Sequence, residues 1–266
     1  MAYSNTLAVI RQYVSGAVGD LILGQCGTTG ATLNKIYAPF LWKPNDYYND
    51  HRYEVYGYAG TNIGVNRRVT DWVLADLLLT VHAVYNDTSD ATSYIELHYI
   101  FTEDEYRKAI NLAIESADSY LIDKIDETIT LVASTYEYTV SSGMDYVHRV
   151  ITEGTADTGD FFDSDEIDPR NWELISPRTL KLVKAYYSPT AGKDLRVEGQ
   201  GKQAILTADN DVCYLPPDWL VQKAITFLPQ NKIQSNKLDN TYRQALVISS
   251  IEPRVYPNPR GRRVVE

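Results

Sequence analysis

The stretch TEDEYRKAINLAIESADSYLIDKID, residues 102–126, most constrains what this chain can fold into. Thr102 and Glu105 have the spacing of a capping box, in which each side chain accepts from the other residue's backbone N–H. Glu103, Asp104 and Glu105 crowd the first turn, where the helix dipole favours negative charge. Tyr106, Ala109, Ile110, Ala113, Ile114, Ala117 and Leu121 recur at helical spacing and form one apolar stripe. A helix over 102–126 is therefore expected. Its small residues, Ala109, Ala113 and Ala117, would let another helix approach closely, either within the subunit or across an interface.

The segments on both sides read differently. Residues 4–23 have helical spacing, with Ser4 or Asn5 as cap and Gly24 as stop. Segments 52–58, 66–72, 77–84 and 93–101 alternate with period two or are short apolar runs between turn residues, as strands do. After the helix, 127–138, 146–152, 172–175, 179–185, 194–198 and 203–207 read as further strands. Helices return from Pro216 or Pro217 to 228, and from 238 or 239 to 251. The expected class is α+β, with two antiparallel β units (each a small barrel or sandwich) joined by the central helix. The expected partition is an N-terminal helix (1–24), a β unit (25–101), the central helix (102–126), a second β unit (127–212), a C-terminal helix pair (213–252) and an extended basic arm (253–266).

Composition narrows the function classes. Acidic side chains outnumber basic ones 35 to 25, for a net charge of −10, which argues against nucleic-acid binding over the whole surface. No apolar run reaches the roughly 20 residues that span a bilayer, and the first residues lack a signal-peptide pattern, so no membrane partner is expected. Cys26 and Cys213 are far apart and in no ligand spacing, so two idle thiols are expected rather than a bridge. Tyrosine is heavily used, 21 against 5 Phe, which suits half-wet surfaces and interfaces, or sugar platforms.

No catalytic, cofactor or metal motif emerges. The loop DTGDFFDSDEID, residues 157–168, does not have the spacing of an EF-hand, so it reads as a solvated loop or a docking surface for a basic partner. Glu198-Gly199-Gln200-Gly201-Lys202 lacks phosphate-loop spacing and reads as a hairpin turn. His51, His82, His98 and His148 stand alone, although His82 and His98 lie in expected strands that could approach each other. The tail PRVYPNPRGRRVVE, with Arg254, Arg260, Arg262 and Arg263, should be extended and mobile unless a partner orders it. Its loss should weaken assembly and spare the fold.

RKAINLAIESA, DYYNDHRYEVYGYAGTNIGVNRRVTDW and LRVEGQGKQAILTADNDVCYLPPDWLVQKAITFL together resemble segments of the head-to-tail connector (adaptor or neck) proteins of tailed bacteriophages. RKAINLAIESA looks like their aIN.AI helix, and DYYNDHRYEVYGYAGTNIGVNRRVTDW resembles their glycine-punctuated β segment. LRVEGQGKQAILTADNDVCYLPPDWLVQKAITFL is similar to their P.WLv ending. Asn49-Asp50 stands where Asn-Gly is usual, and Ala204 where proline is frequent; both departures concern turns. The resemblance implies a non-enzymatic virion protein without cofactor. It would form a homo-oligomeric ring, a dodecamer, between the portal and the neck or tail proteins (the tail terminator among them), with transient contact to passing DNA. A carbohydrate- or receptor-binding virion protein using Trp42 and Tyr58 is the alternative.

Overall fold

The computed structural model describes residues 3–156, 158–175 and 178–264. Contacts divide the chain into two compact units, residues 1–116 with 205–252, and residues 117–204 with 253–266. The class is α+β with several antiparallel sheets, and among the described residues no sheet closes into a barrel.

The first unit begins with β1 (Asn5–Thr6) and α1 (Leu7–Ala17). The helix is shorter than 4–23 at both ends. Thr6, not Ser4 or Asn5, caps it by accepting from the Val9 N–H at 3.4 Å. Gly19, at φ 75°, ends it in the left-handed conformation that glycine tolerates best. Then come β2 (Ile22–Gln25), β3 (Gly27–Thr32), β4 (Lys35–Tyr37), the single turn α2 (Tyr47–Asp50), β5 (Glu54–Ala59), β6 (Asn66–Val73), β7 (Leu78–Val81) and β8 (Tyr94–His98). These strands make one seven-stranded antiparallel sheet in the order β2-β8-β5-β6-β7-β4-β3, three more than the four segments that read as strands. Trp72, Val55, Leu79, Leu97 and Ile36 fill its core, and the Trp72 N–H is satisfied by the Lys43 carbonyl at 2.9 Å.

Helix α3 (Glu103–Glu115) carries the expected capping box. Glu105 N–H donates to Thr102 Oγ1 at 3.2 Å, and Thr102 N–H donates to Glu105 Oε2 at 2.8 Å. It stops eleven residues before 126, lies within the first unit and packs against α1 and α4 (Pro217–Thr226). The chain continues into β9 (Ile122–Thr130), whose β-branched residues suit an extended backbone and which pairs along its length with β14 (Asp194–Gly201).

The second unit has β9, β10 (Glu137–Thr139), β11 (Tyr146–Thr152), β12 (Trp172–Ile175), β13 (Thr179–Leu182) and β14. Two antiparallel sheets, β10-β13-β12 and a four-stranded one, share a core of Trp172, Leu180, Leu182, Val150, Leu195 and Val197. The glycines expected to turn a hairpin lie inside β14 instead. A Cβ on Gly199 or Gly201 would collide with the Tyr146 and Gly143 carbonyl oxygens, so glycine here permits close strand approach. Residues 203–207 form no strand.

The chain then returns to the first unit through β15 (Val212–Cys213), which pairs with β1, and through α4, α5 (Gln230–Ser235) and α6 (Asp239–Ile248). The last strand, β16 (Arg262–Arg263), belongs to the second unit and pairs with β11. No helix among the described residues is long and apolar enough to cross a membrane.

Candidate functional site

The tail is docked, which corrects the expectation of a mobile arm. Edge strand β11 offers unpaired backbone groups, and β16 takes them, with Tyr146 opposite Arg263 and Val147 opposite Arg262. Val264 comes next, donates its N–H to the Asp145 carbonyl at 2.8 Å and is buried in the second unit's core. Val255 N–H donates to the Ser119 carbonyl at 2.9 Å, and Asn258 N–H to Gln200 Oε1 at 2.8 Å. The Arg262 guanidinium lies 4.4 Å from the centre of the Trp172 ring and donates to the Trp172 and Pro169 carbonyls. Its charge is used internally.

Docking the tail creates a cavity of about 790 Å³ in this unit. Arg178, Lys202, Arg254 and Arg263 line it beside Asp118 and Asp145, and Leu121, Tyr146, Val255, Pro257 and Val264 supply apolar wall. Lys202 Nζ pairs with Asp118 at 2.6 Å, and Arg178 donates to the Met144 carbonyl at 3.0 Å. Arg254 and Arg263 are exposed and have no ion-pair partner among the described residues. Four cations face two carboxylates here, in a chain that is acidic overall. The cleft is suited to hold an anionic group against an apolar floor.

The other expected contact residues lie elsewhere. Arg260 is exposed on the turn after Asn258 and does not line the cleft. Ala109 and Ala113 are fully buried inside the first unit, so of the two alternatives the helix contact is within the chain. Ala117 is buried beyond the end of α3. In the acidic loop, Asp157 lies outside the described residues. Asp163 and Glu166 bind Arg149 of β11 at 2.6 and 2.8 Å, and no group of three His, Cys, Asp or Glu among the described residues could hold a metal. His82 and His98 do not meet, because β5 and β6 lie between β8 and the end of β7. Trp42 is 71% exposed and does not line the 640 Å³ cavity that Tyr56 and Tyr58 line. Burial pushes the Cys26 thiol up to about 12 and the Cys213 thiol up to about 11, so both are protonated and inert near neutrality.

The first unit holds an ionic knot that motif and spacing patterns do not single out. Arg11, on the buried face of α1, donates from Nε to Glu96 Oε2 at 2.8 Å and from Nη1 to Asp209 Oδ1 at 2.6 Å; Glu103 Oε1 is 3.4 Å away. Tyr56 donates to Asp209 at 2.9 Å, and His98 Nε2 lies 3.1 Å from Glu96. Nearby, the buried Asp20 carboxylate accepts from the backbone N–H groups of Tyr99, Ile100 and Phe101 and from the Tyr106 hydroxyl. A signal was present. Arg11 interrupts the apolar series Leu7, Ile10, Val14, and Glu96 and His98 alternate with Ile95 and Leu97 in a buried strand. Charges on faces that must be buried announce partners.

The knot makes the first unit acid-sensitive. Burial alone would raise the Glu96 pKa, but hydrogen bonds from His98 and Arg11 overcome it and hold the group below its ordinary value. A carboxylate depressed on folding contributes stability above its unfolded pKa and loses it as pH falls through the folded one. Burial raises the Glu103 pKa, so its contribution has the opposite sign. In urea titrations between about pH 3 and pH 6, the unit should weaken below the ordinary carboxylate range, and Glu96→Gln should flatten that limb. An unchanged slope in Glu96→Gln would mean that other carboxylates govern it.

No model of a known protein family matches the chain, and no curated protein sequence matches it either.

Proposed function

We propose that this chain is a structural protein of a tailed-phage particle, a head-to-tail adaptor that forms a ring joining the portal to the neck or tail. The three segments that resemble connector proteins support this reading. The observation that carries it is apolar side chains exposed where α6 ends: Leu246 at 44%, Val247 at 74%, Ile248 at 56% and, just beyond, Ile251 at 82%. Large apolar side chains gathered on a soluble surface mark contact with another macromolecule. A ring of acidic subunits would also let DNA pass without adhering. Twelve subunits, virion location and contacts with portal and tail proteins belong to the same proposal.

The test is direct. Val247→Lys with Ile251→Lys should keep the fold by circular dichroism and weaken self-association at least tenfold in sedimentation, since each change removes an apolar contact worth about 1.5 kcal/mol or more. Unchanged association would contradict the reading. A carbohydrate- or receptor-binding role is the second reading, favoured by the cavity where Tyr56 and Tyr58 meet Gln12, Asp209 and Asn210. Glycan binding abolished by Tyr58→Ala would support it.

A further inference from the structure

The cleft and the acidic loop lie in the same unit, and their chemistries match. Residues 158–168 carry Asp160, Asp163, Asp165, Glu166 and Asp168 and no basic residue, and Phe162 among them is 56% exposed. Asp160 and Asp165 have no ion-pair partner among the described residues. The segment is held in shape rather than loose. The buried Glu153 carboxylate accepts from the Thr158 N–H at 2.6 Å, the Gly159 N–H at 2.5 Å and the Asp194 N–H at 3.1 Å. Ile167 N–H donates to the Val150 carbonyl at 2.9 Å, and Arg149 grips Asp163 and Glu166. A pre-formed segment loses little conformational entropy when it docks.

We infer that the cleft formed by the docked tail receives the acidic, aromatic segment 158–168 of a second copy of this chain. Phe162 would lie against the apolar wall of Tyr146, Val255 and Pro257, and the flanking Asp160 and Asp165 would meet Arg254 and Arg263. The loop cannot fill the cleft of its own subunit. Its Phe162 ring lies against Gly154, eight residues from the Tyr146 at which the cleft opens, and its anchor nearest to Tyr146 along the strand, Arg149, is three residues or about 10 Å away. A donor patch and a different acceptor patch on each copy make a heterologous contact, the kind that propagates around a closed ring. The inference thus rests on the ring reading and names one of its contacts.

Charge reversal tests it on the full-length chain by native mass spectrometry and sedimentation. Arg254→Glu with Arg263→Glu should weaken assembly at least tenfold with the thermal midpoint little changed, because neither side chain is paired within the subunit. Asp160→Arg with Asp165→Arg should do the same. Mixing the two variants should restore association, because each then offers the complement of the other. Assembly of the Arg254→Glu, Arg263→Glu chain at wild-type strength overturns the cleft contact and leaves the ring standing. Loss without restoration in the mixture also overturns it, since the occupant is then a different segment. Binding of a short DNA duplex that Arg254→Glu with Arg263→Glu abolishes, with assembly intact, assigns the cleft to phosphate instead. A wild-type chain that stays monomeric at all concentrations overturns both the contact and the ring.

Discussion

Arg11→Met should cost the first unit about 3 to 5 kcal/mol, because it leaves buried carboxylates without their counter-charge. Arg11 and Glu96 are both fully buried, Glu103 is nearly so, and Asp209 is partly buried. Removing the guanidinium takes the shared cation from three acids that β8, α3 and the loop before β15 bring to one point, and leaves Glu96 with His98, Asp209 with the Tyr56 hydroxyl and Glu103 with Arg107 at 3.5 Å. Hydrogen bonds to Glu96 and Asp209 hold Arg11 charged against the opposing effect of burial, so it does not escape by deprotonating. The loss is a large fraction of the roughly 5 to 15 kcal/mol by which domains are stable. Urea unfolding followed by the fluorescence of buried Trp72, with hydrogen exchange to localise the effect, reads it. Adding Glu96→Leu to Arg11→Met should recover part of the loss, since apolar replacement of a buried pair is often neutral. A cost under about 1 kcal/mol for Arg11→Met would mean that the knot is hydrated.

Deleting residues 253–266 should destabilise the second unit by about 4 kcal/mol, the reverse of what a free arm would do. The deletion removes Val264 from the core, worth about 1.5 to 3 kcal/mol, and several hydrogen bonds worth about 1 kcal/mol each. It also exposes the edge of β11 and takes the guanidinium from the face of Trp172. Hydrogen exchange should show faster exchange at Tyr146 and Val147 and leave α1 and α3 protected. Unchanged protection of β11 would contradict the docked position.

How much of this was legible depended on whether a signal was local. The start of α3 was legible because a capping box is complete within four residues. Its end was not, because Ala117 and Leu121 fit a helical stripe equally well. Pairing of β9 with β14, some 70 residues away, decides for strand. Gly199 and Gly201 read as a turn for the same reason: glycine permits both a turn and a close approach, and only the partner strand distinguishes them. The tail's arginines drew attention to the right segment, yet their roles divide. Arg262 faces Trp172 while Arg263 faces the cleft, a division that comes from the register of β16, and Arg254 reaches the cleft next to Val255, which is tied to Ser119. The ionic knot was legible in principle from Arg11 on an apolar helix face. Its carboxylates come from Glu96, Glu103 and Asp209, too far apart in sequence for any spacing rule to join.

A ring-forming adaptor between portal and tail must close on itself and seat on the portal, and both can be seen by electron microscopy. The full-length chain would be imaged alone and, as the proposed role requires, mixed with the portal protein of the phage that would encode it. Closed rings of uniform symmetry with a central opening, seated coaxially on the portal, are the expected result. Particles the size of a single chain, with none on the portal at any protein concentration, would refute the adaptor role.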